Sequence, residues 1–308
     1  MRTLSKAIIA LAVMTVLITA VVLGSGMLRS PSSGDRINTV VTIVPQQEIV
    51  EAIGGEHVSV TLMVPAGQDP HTYEPTPGQI MAVSQADIYF EVGSGVEFEL
   101  TKMSTLTEVN PNMAIIDCSK NITLLDLGGQ HADGGGAVEE HAHDGKDPHI
   151  WLSPLNLKQM GKNIFDGLVA ADPDHSEDYA ENLQAYEEKM DSLHENISTE
   201  LSDYRGMEFM AYHPAWEYFA HEYGLTQIAI EQEGQEPGPK GIEAIIDQAR
   251  ERNIHVIFVS PQIGSSNAEV IADEINGEVV VTDPLPTNIE KELWSLAEEM
   301  AMGFSKQG

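Results

Sequence analysis

Apolar residues fall along the chain in short runs separated by longer stretches with helical spacing. Runs at 39–44, 58–64, 88–91 and 114–117 are largely β-branched and are bounded by Gly, Pro, Asp or Asn. A second set lies at 208–212, 227–230, 255–260 and 278–282. Helical stretches such as 241–252 and 268–275 lie between most of them. Strands that alternate with helices predict parallel sheets, because a parallel connection has to cross over. The expected fold class is α/β, with two lobes, each a four-stranded, mainly parallel sheet flanked by helices.

The region between the two sets carries a different pattern. Ser153-Pro154 and Asp172-Pro173 each have the form of a helix cap followed by Pro at the first helical position. Beyond Pro173, apolar residues fall at Tyr179, Leu183, Tyr186, Met190, Leu193, Ile197, Leu201 and Tyr204. Steps of three and four put them on one helix face. A helix over 174–203 would be about 45 Å long at 1.5 Å per residue. That exceeds what one small lobe needs, so the stretch reads as a strut joining two lobes. A coiled-coil dimer seam is the alternative, and a monomer is the expectation. The division is then an N-terminal segment 1–36, a lobe 37–172, a linking helix 173–204 and a lobe 205–308.

Residues 7–23 carry no charge, follow Arg2 and Lys6, and lead into small residues and Pro, Ser and Gly. This is the form of a secretory signal. The run is also at the short edge of a membrane span, which makes an uncleaved anchor the alternative. Either places the body outside the cytoplasm. Composition agrees with cationic ligands: 48 Asp and Glu against 16 Lys and Arg give a net charge of −32. Binding to nucleic acid phosphates is excluded by the same balance. The single cysteine, Cys118, excludes a disulfide framework and a thiolate-rich zinc site, and reads as a small buried hydrophobe. The acidic, Gly-rich segment 128–146 cannot bury a core and reads as a loop.

Signatures of catalysis are missing: no GxxxxGK[ST], no GxGxxG after a strand, no HExxH and no GxSxG. The histidines offer more. His57, His175, His194 and His255 have structural or solvated readings. His71 lies in GQDPHTYEP (67–75), after the second strand-like run. His149 lies in DPHIWL (147–152), ahead of a helix, and His213 follows a strand in YHPAW (212–216). Asp283 follows the last strand-like run. Ligands of parallel α/β folds bind outside the carboxyl ends of strands. Three imidazoles and one carboxylate meeting there would make a four-coordinate site that suits zinc, with more oxygen suiting manganese.

The motifs GQDPHTYEP, DPHIWL, HPAWEYFAHEYGL (213–225), IHVIFVSPQIGSSNAEVIADEING (254–276) and VVVTDPL (279–285) occur in this order. In them the chain, from about residue 38 to the end, resembles the zinc/manganese class (cluster A-I) of solute-binding proteins that feed ABC importers. The resemblance implies two α/β lobes joined by one long rigid helix, with the metal between them. It implies capture of Zn2+ as the transported ligand and delivery to a membrane permease and its ATPase, with no enzymatic step. By position, His71 and His149 become first-lobe ligands and His213 and Asp283 second-lobe ligands. Manganese binders of this class tend to place Glu where His213 stands, so the zinc-binding subgroup is implied. Some zinc members replace the Asp283 ligand with water or a nearby carboxylate. His131, His141 and His143 resemble a shortened version of the histidine loops of zinc-specific members and are expected to form a second, weaker metal loop. Asp69, Asp147 and Glu74 are candidates for orienting the imidazoles.

The chain departs from the class in Ser153, where Asp is usual, and in lacking a lipid-bearing cysteine. Three other readings compete. The same fold could select Mn2+ or Fe2+. An extracytoplasmic zinc hydrolase is more remote, since no motif supplies a general base. Cell adhesion is a further role open to such surface proteins.

Overall fold

The computed structural model describes residues 36–126, 145–231, 235–262 and 266–306. The N-terminal segment and His131, His141 and His143 lie outside the described residues. The first sheet contains β1 (Ile37–Val41), β2 (Val58–Leu62), β3 (Ile88–Glu91) and β4 (Ala114–Asp117), in the order β2-β1-β3-β4. The second contains β5 (Glu208–Ala211), β6 (Thr226–Ala229), β7 (Val256–Val259) and β8 (Glu278–Val281), in the order β6-β5-β7-β8. Among the described residues, the six ladders that join these strands are all parallel. Both lobes therefore reverse strand order beside their first strand, which opens a crevice at the carboxyl edge there.

Helices α1 (Val44–Gly54), α2 (Pro77–Val83) and α3 (Glu97–Val109) connect the first sheet. Next come α4 (Pro154–Ala171) and α5 (Ser176–Glu200). The second lobe carries α6 (Glu217–Tyr223), α7 (Pro239–Glu251), α8 (Ser266–Ile275) and α9 (Ile289–Ser305). α6 stops at Gly224, whose φ of 71° is the left-handed conformation that ends helices at little cost for glycine.

The strut is present but shorter than its apolar stripe. α5 has 25 residues, about 37 Å, and is bracketed by 3-10 turns at Pro173–His175 and Ser202–Tyr204. Asp172 does not cap it. Its carboxylate instead accepts from His175 Nδ1 at 2.5 Å and Tyr179 OH at 2.9 Å, and the chain enters through a tighter turn. Ser153 does cap α4, accepting from Asn156 N at 3.1 Å. The buried face of α5 carries Tyr179, Tyr186, Met190, Leu193 and Ile197. It packs on α1 and α4 from the first lobe and on α9 from the second.

Alternation along the central strands of the second sheet divides two cores. Phe209 and Ala211 of β5, with Val256 and Phe258 of β7, face a core shared with the first sheet and α5. Met210 of β5 and the residue after it, Tyr212, with Ile257 and Val259 of β7, face a separate core beneath α7 and α8. Each fully buried Phe or Ile is worth roughly 1.5–3 kcal/mol. A core continuous from one sheet to the other therefore resists large rotations of the lobes. Cys118 is buried as expected, and burial pushes its thiol well above the usual range.

Candidate metal centre

Three histidines from three separate segments meet at the strand ends. His213 follows β5 directly. His149 sits on the stretch leading into α4, and His71 on the loop between β2 and α2. The rings of His149 and His213 lie 5.2 Å apart at 80°, with their Nε2 atoms 3.3 Å from each other. The ring of His71 lies 6.1 Å from that of His213.

The first two are held from behind. His149 Nδ1 donates to Asp147 Oδ1 at 2.7 Å, and the same oxygen accepts from His149 N at 2.8 Å. His213 Nδ1 faces Glu231 Oε1 at 3.4 Å. His149 is 7% exposed, and the two carboxylates are buried with it. A carboxylate oxygen accepts, so each Nδ1 carries the proton and each Nε2 presents its lone pair. Asp147 Oδ2 is buried with no hydrogen-bond partner among the described residues. Burial, and after it the charge of Asp147, pushes the nearby Glu217 carboxyl up. The pocket behind the imidazoles is thus strongly acidic.

His71 is exposed. Asp69 accepts from His71 N at 2.9 Å and from Thr72 Oγ1 at 3.4 Å, so it shapes the loop backbone rather than the ring. Glu74 pairs with Lys102 at 2.5 Å. Asp283 follows β8, and its Oδ1 accepts from Gln262 Nε2 at 2.6 Å and Leu285 N at 2.8 Å. Among the described residues, no group of three or more His, Cys, Asp or Glu is already arranged to hold one ion. What the structure presents is a formed pair, His149 and His213, with His71 beside it.

No motif in the sequence marks Glu231. It lies 18 residues from His213 and is one acid among 48. Its signal was position, two residues past β6 at the same strand edge as His213 and Asp283.

The loop after β3 supports the segment that carries His149. Glu99 is buried and accepts from Thr42 Oγ1, from Val92 N at 2.6 Å and from Gly93 N at 3.0 Å. Burial pushes its carboxyl up to about 7, against the pull of those donors. Ser94 on the same loop donates to the carbonyl of Pro148 at 2.5 Å, next to His149.

Four other histidines differ. His57 and His175 stack at 3.9 Å with rings inclined 21°, against Asp178 and Asp172 respectively. Nearly parallel stacked rings cannot aim lone pairs at one ion. His194 donates to Glu222 at 2.6 Å, and His255 contacts the carbonyl of Ile275 at 3.2 Å. Asp126 and Lys146 form an antiparallel bridge and a 2.6 Å ion pair.

Two parallel α/β lobes on one long helix, with imidazoles meeting at their strand edges, define a two-lobed solute-binding protein. The chain belongs to the family described as zinc-uptake complex component A, periplasmic, which matches residues 39–301. That family comprises transport components, not enzymes. The chain is 30% identical to the high-affinity zinc uptake system protein ZnuA of Bacillus subtilis (strain 168) over 257 residues, 82% of this chain and 80% of that protein. It is 29% identical to the manganese-binding lipoprotein MntA of Halalkalibacterium halodurans over 286 residues, 90% of this chain and 89% of that protein. A crystal structure of ZnuA superposes with a TM-score of 0.79 at 36% identity, covering 87% of this chain and 99% of that one.

Proposed function

We propose that the protein captures Zn2+ outside the cytoplasm and delivers it to the permease and ATPase of an ABC importer. The supporting observation is the 3.3 Å between the Nε2 atoms of His149 and His213. Zn–N bonds of 2.0–2.1 Å in a tetrahedron set neighbouring ligand nitrogens about 3.3–3.4 Å apart. Two lone pairs at that distance repel unless a proton or a metal cation lies between them, and the carboxylates that favour a proton on each Nδ1 favour the metal. Asp147 and Glu231 fix the tautomers and raise the basicity of both imidazoles, as carboxylates behind zinc-bound histidines do.

In this reading His71 is the third ligand, swinging in from its exposed loop, and Asp283 supplies the fourth through Oδ2. Zinc exchanges water for these donors, and no bond of the protein is made or broken. Acid weakens capture, because a protonated imidazole does not ligate. Imidazole donors favour zinc over manganese, which takes oxygen. Histidines 131, 141 and 143 act as a weaker outer collector, and residues 7–23 export the chain or anchor it to the outer face of the membrane.

The test is a competitive titration of the metal-stripped protein with zinc against manganese. One tight zinc per chain that excess manganese does not displace supports the reading. Displacement by manganese overturns the zinc assignment.

A further inference from the structure

The segment that carries His149 is gripped by the opposite lobe. Tyr218 on α6 donates its hydroxyl hydrogen to the carbonyl of Asp147 at 2.9 Å and accepts from Leu125 N at 3.1 Å. Four residues further along α6, Glu222 accepts from Ser153 Oγ and from His194 Nδ1, the latter at 2.6 Å. Residues four apart stand on the same face of a helix. One face of α6 therefore holds both ends of segment 147–153, with His149 between them. Trp151, in the middle, donates Nε1–H to the carbonyl of Pro284 at 2.6 Å, next to Asp283. These contacts are enclosed: Tyr218 is 4% exposed and Trp151 is 2%.

The connectivity gives the grip its meaning. α6 begins four residues after His213, so the short helix that follows one imidazole also fixes the other. His194 ties the same carboxylate to the linking helix. Ser153 ties it to α4, because its oxygen also caps that helix. Glu222 thus sits where both lobes and the strut join.

We propose that Tyr218 and Glu222 are positioning residues for metal capture, a two-point clasp that sets His149 against His213. The inference rests on the transport reading above. Ligand nitrogens around a tetrahedral zinc tolerate only a few tenths of an ångström of misplacement (Zn–N bonds vary by about 0.2 Å in real sites). His149 and His213 belong to different lobes, and any relative motion of the lobes would change their separation. The clasp makes segment 147–153 follow the second lobe, and His71 lies outside it.

The test uses the full metal-stripped chain with Tyr218→Phe, Glu222→Gln and Ser153→Ala. Zinc affinity is read by competition with a chromophoric chelator, coordination by the visible spectrum of bound Co2+, and stability by thermal melting. Tyr218→Phe and Glu222→Gln are each expected to weaken zinc about threefold to tenfold, the value of one buried hydrogen bond. The Co2+ bands that report tetrahedral coordination should weaken with them. Glu222→Gln and Ser153→Ala should combine non-additively, because they remove two ends of one contact. Ile271→Val in the separate core under α8 is the control, less stable but with zinc affinity and Co2+ spectrum unchanged. The proposal is overturned if the clasp variants lose stability like that control yet keep the original affinity and spectrum, or if the pair is additive. A wild-type chain that binds no zinc overturns the transport reading itself, a different result from either.

Discussion

His149 is buried and His213 partly so, each with a carboxylate behind Nδ1, whereas His71 stands exposed on a loop whose aspartate holds backbone rather than ring. The pair is supported in advance: carboxylates behind both Nδ1 atoms orient the rings and favour the tautomer that leaves Nε2 open. As the third ligand of the proposed site, His71 gives up the freedom of an exposed side chain on binding, at a cost in entropy. A site of this kind can be selective at the pair and exchangeable at the loop. In the proposed reading, capture moves the His71 loop while the core shared by both lobes stays packed.

The comparison predicts unequal losses. His213→Ala and His149→Ala should each weaken zinc by more than about 100-fold, beyond what loss of an outer partner costs. His71→Ala should cost less, because part of its contribution is spent on ordering. Isothermal titration with a competing chelator checks this, and a His71→Ala loss as large as the other two would break the distinction. Next in size is Asp147→Asn, which leaves His149 Nδ1–H without its carboxylate and should weaken zinc about 10–100-fold. An equal loss on Asp69→Asn would remove the difference between ring support and loop support.

Smaller effects test the first-lobe loop that backs the segment of His149. Glu99, raised to about 7, has a folded pKa above its unfolded value, so its stabilising contribution is present at low pH and lost as pH rises through about 7. Between pH 5 and 7 the chain should lose roughly 2 kcal/mol relative to Glu99→Gln, measured by urea unfolding at each pH. A flat difference would remove Glu99 as the cause. Ser153→Ala, which deletes the cap of α4, should cost about 1 kcal/mol by the same measurement.

How much of this was legible in the sequence follows the same line between local and non-local causes. β3 and β4 occupy 88–91 and 114–117 as expected, since short apolar runs between turn residues leave little freedom in their bounds. The apolar stripe outruns the helix because Leu201 and Tyr204 continue it through a 3-10 turn, where spacing no longer distinguishes helix types. Asp172 looked like a cap, and nothing local shows that His175 and Tyr179 take its carboxylate. Asp147 was visible because it lies two residues from its histidine. Glu231 was not, because only the packing of β6 beside β5 brings it to His213. Glu74 was expected near the imidazoles and is drawn instead to Lys102 on α3.

The central claim is that one zinc ion is held by His149 and His213 together. X-ray absorption at the zinc edge, on the protein loaded with one equivalent, reads the bound atoms directly. The account predicts a shell dominated by imidazole nitrogen at about 2.0–2.1 Å, with the imidazole signal diminished in His213→Ala. An oxygen-only shell, or a spectrum that His213→Ala leaves unchanged, would contradict it.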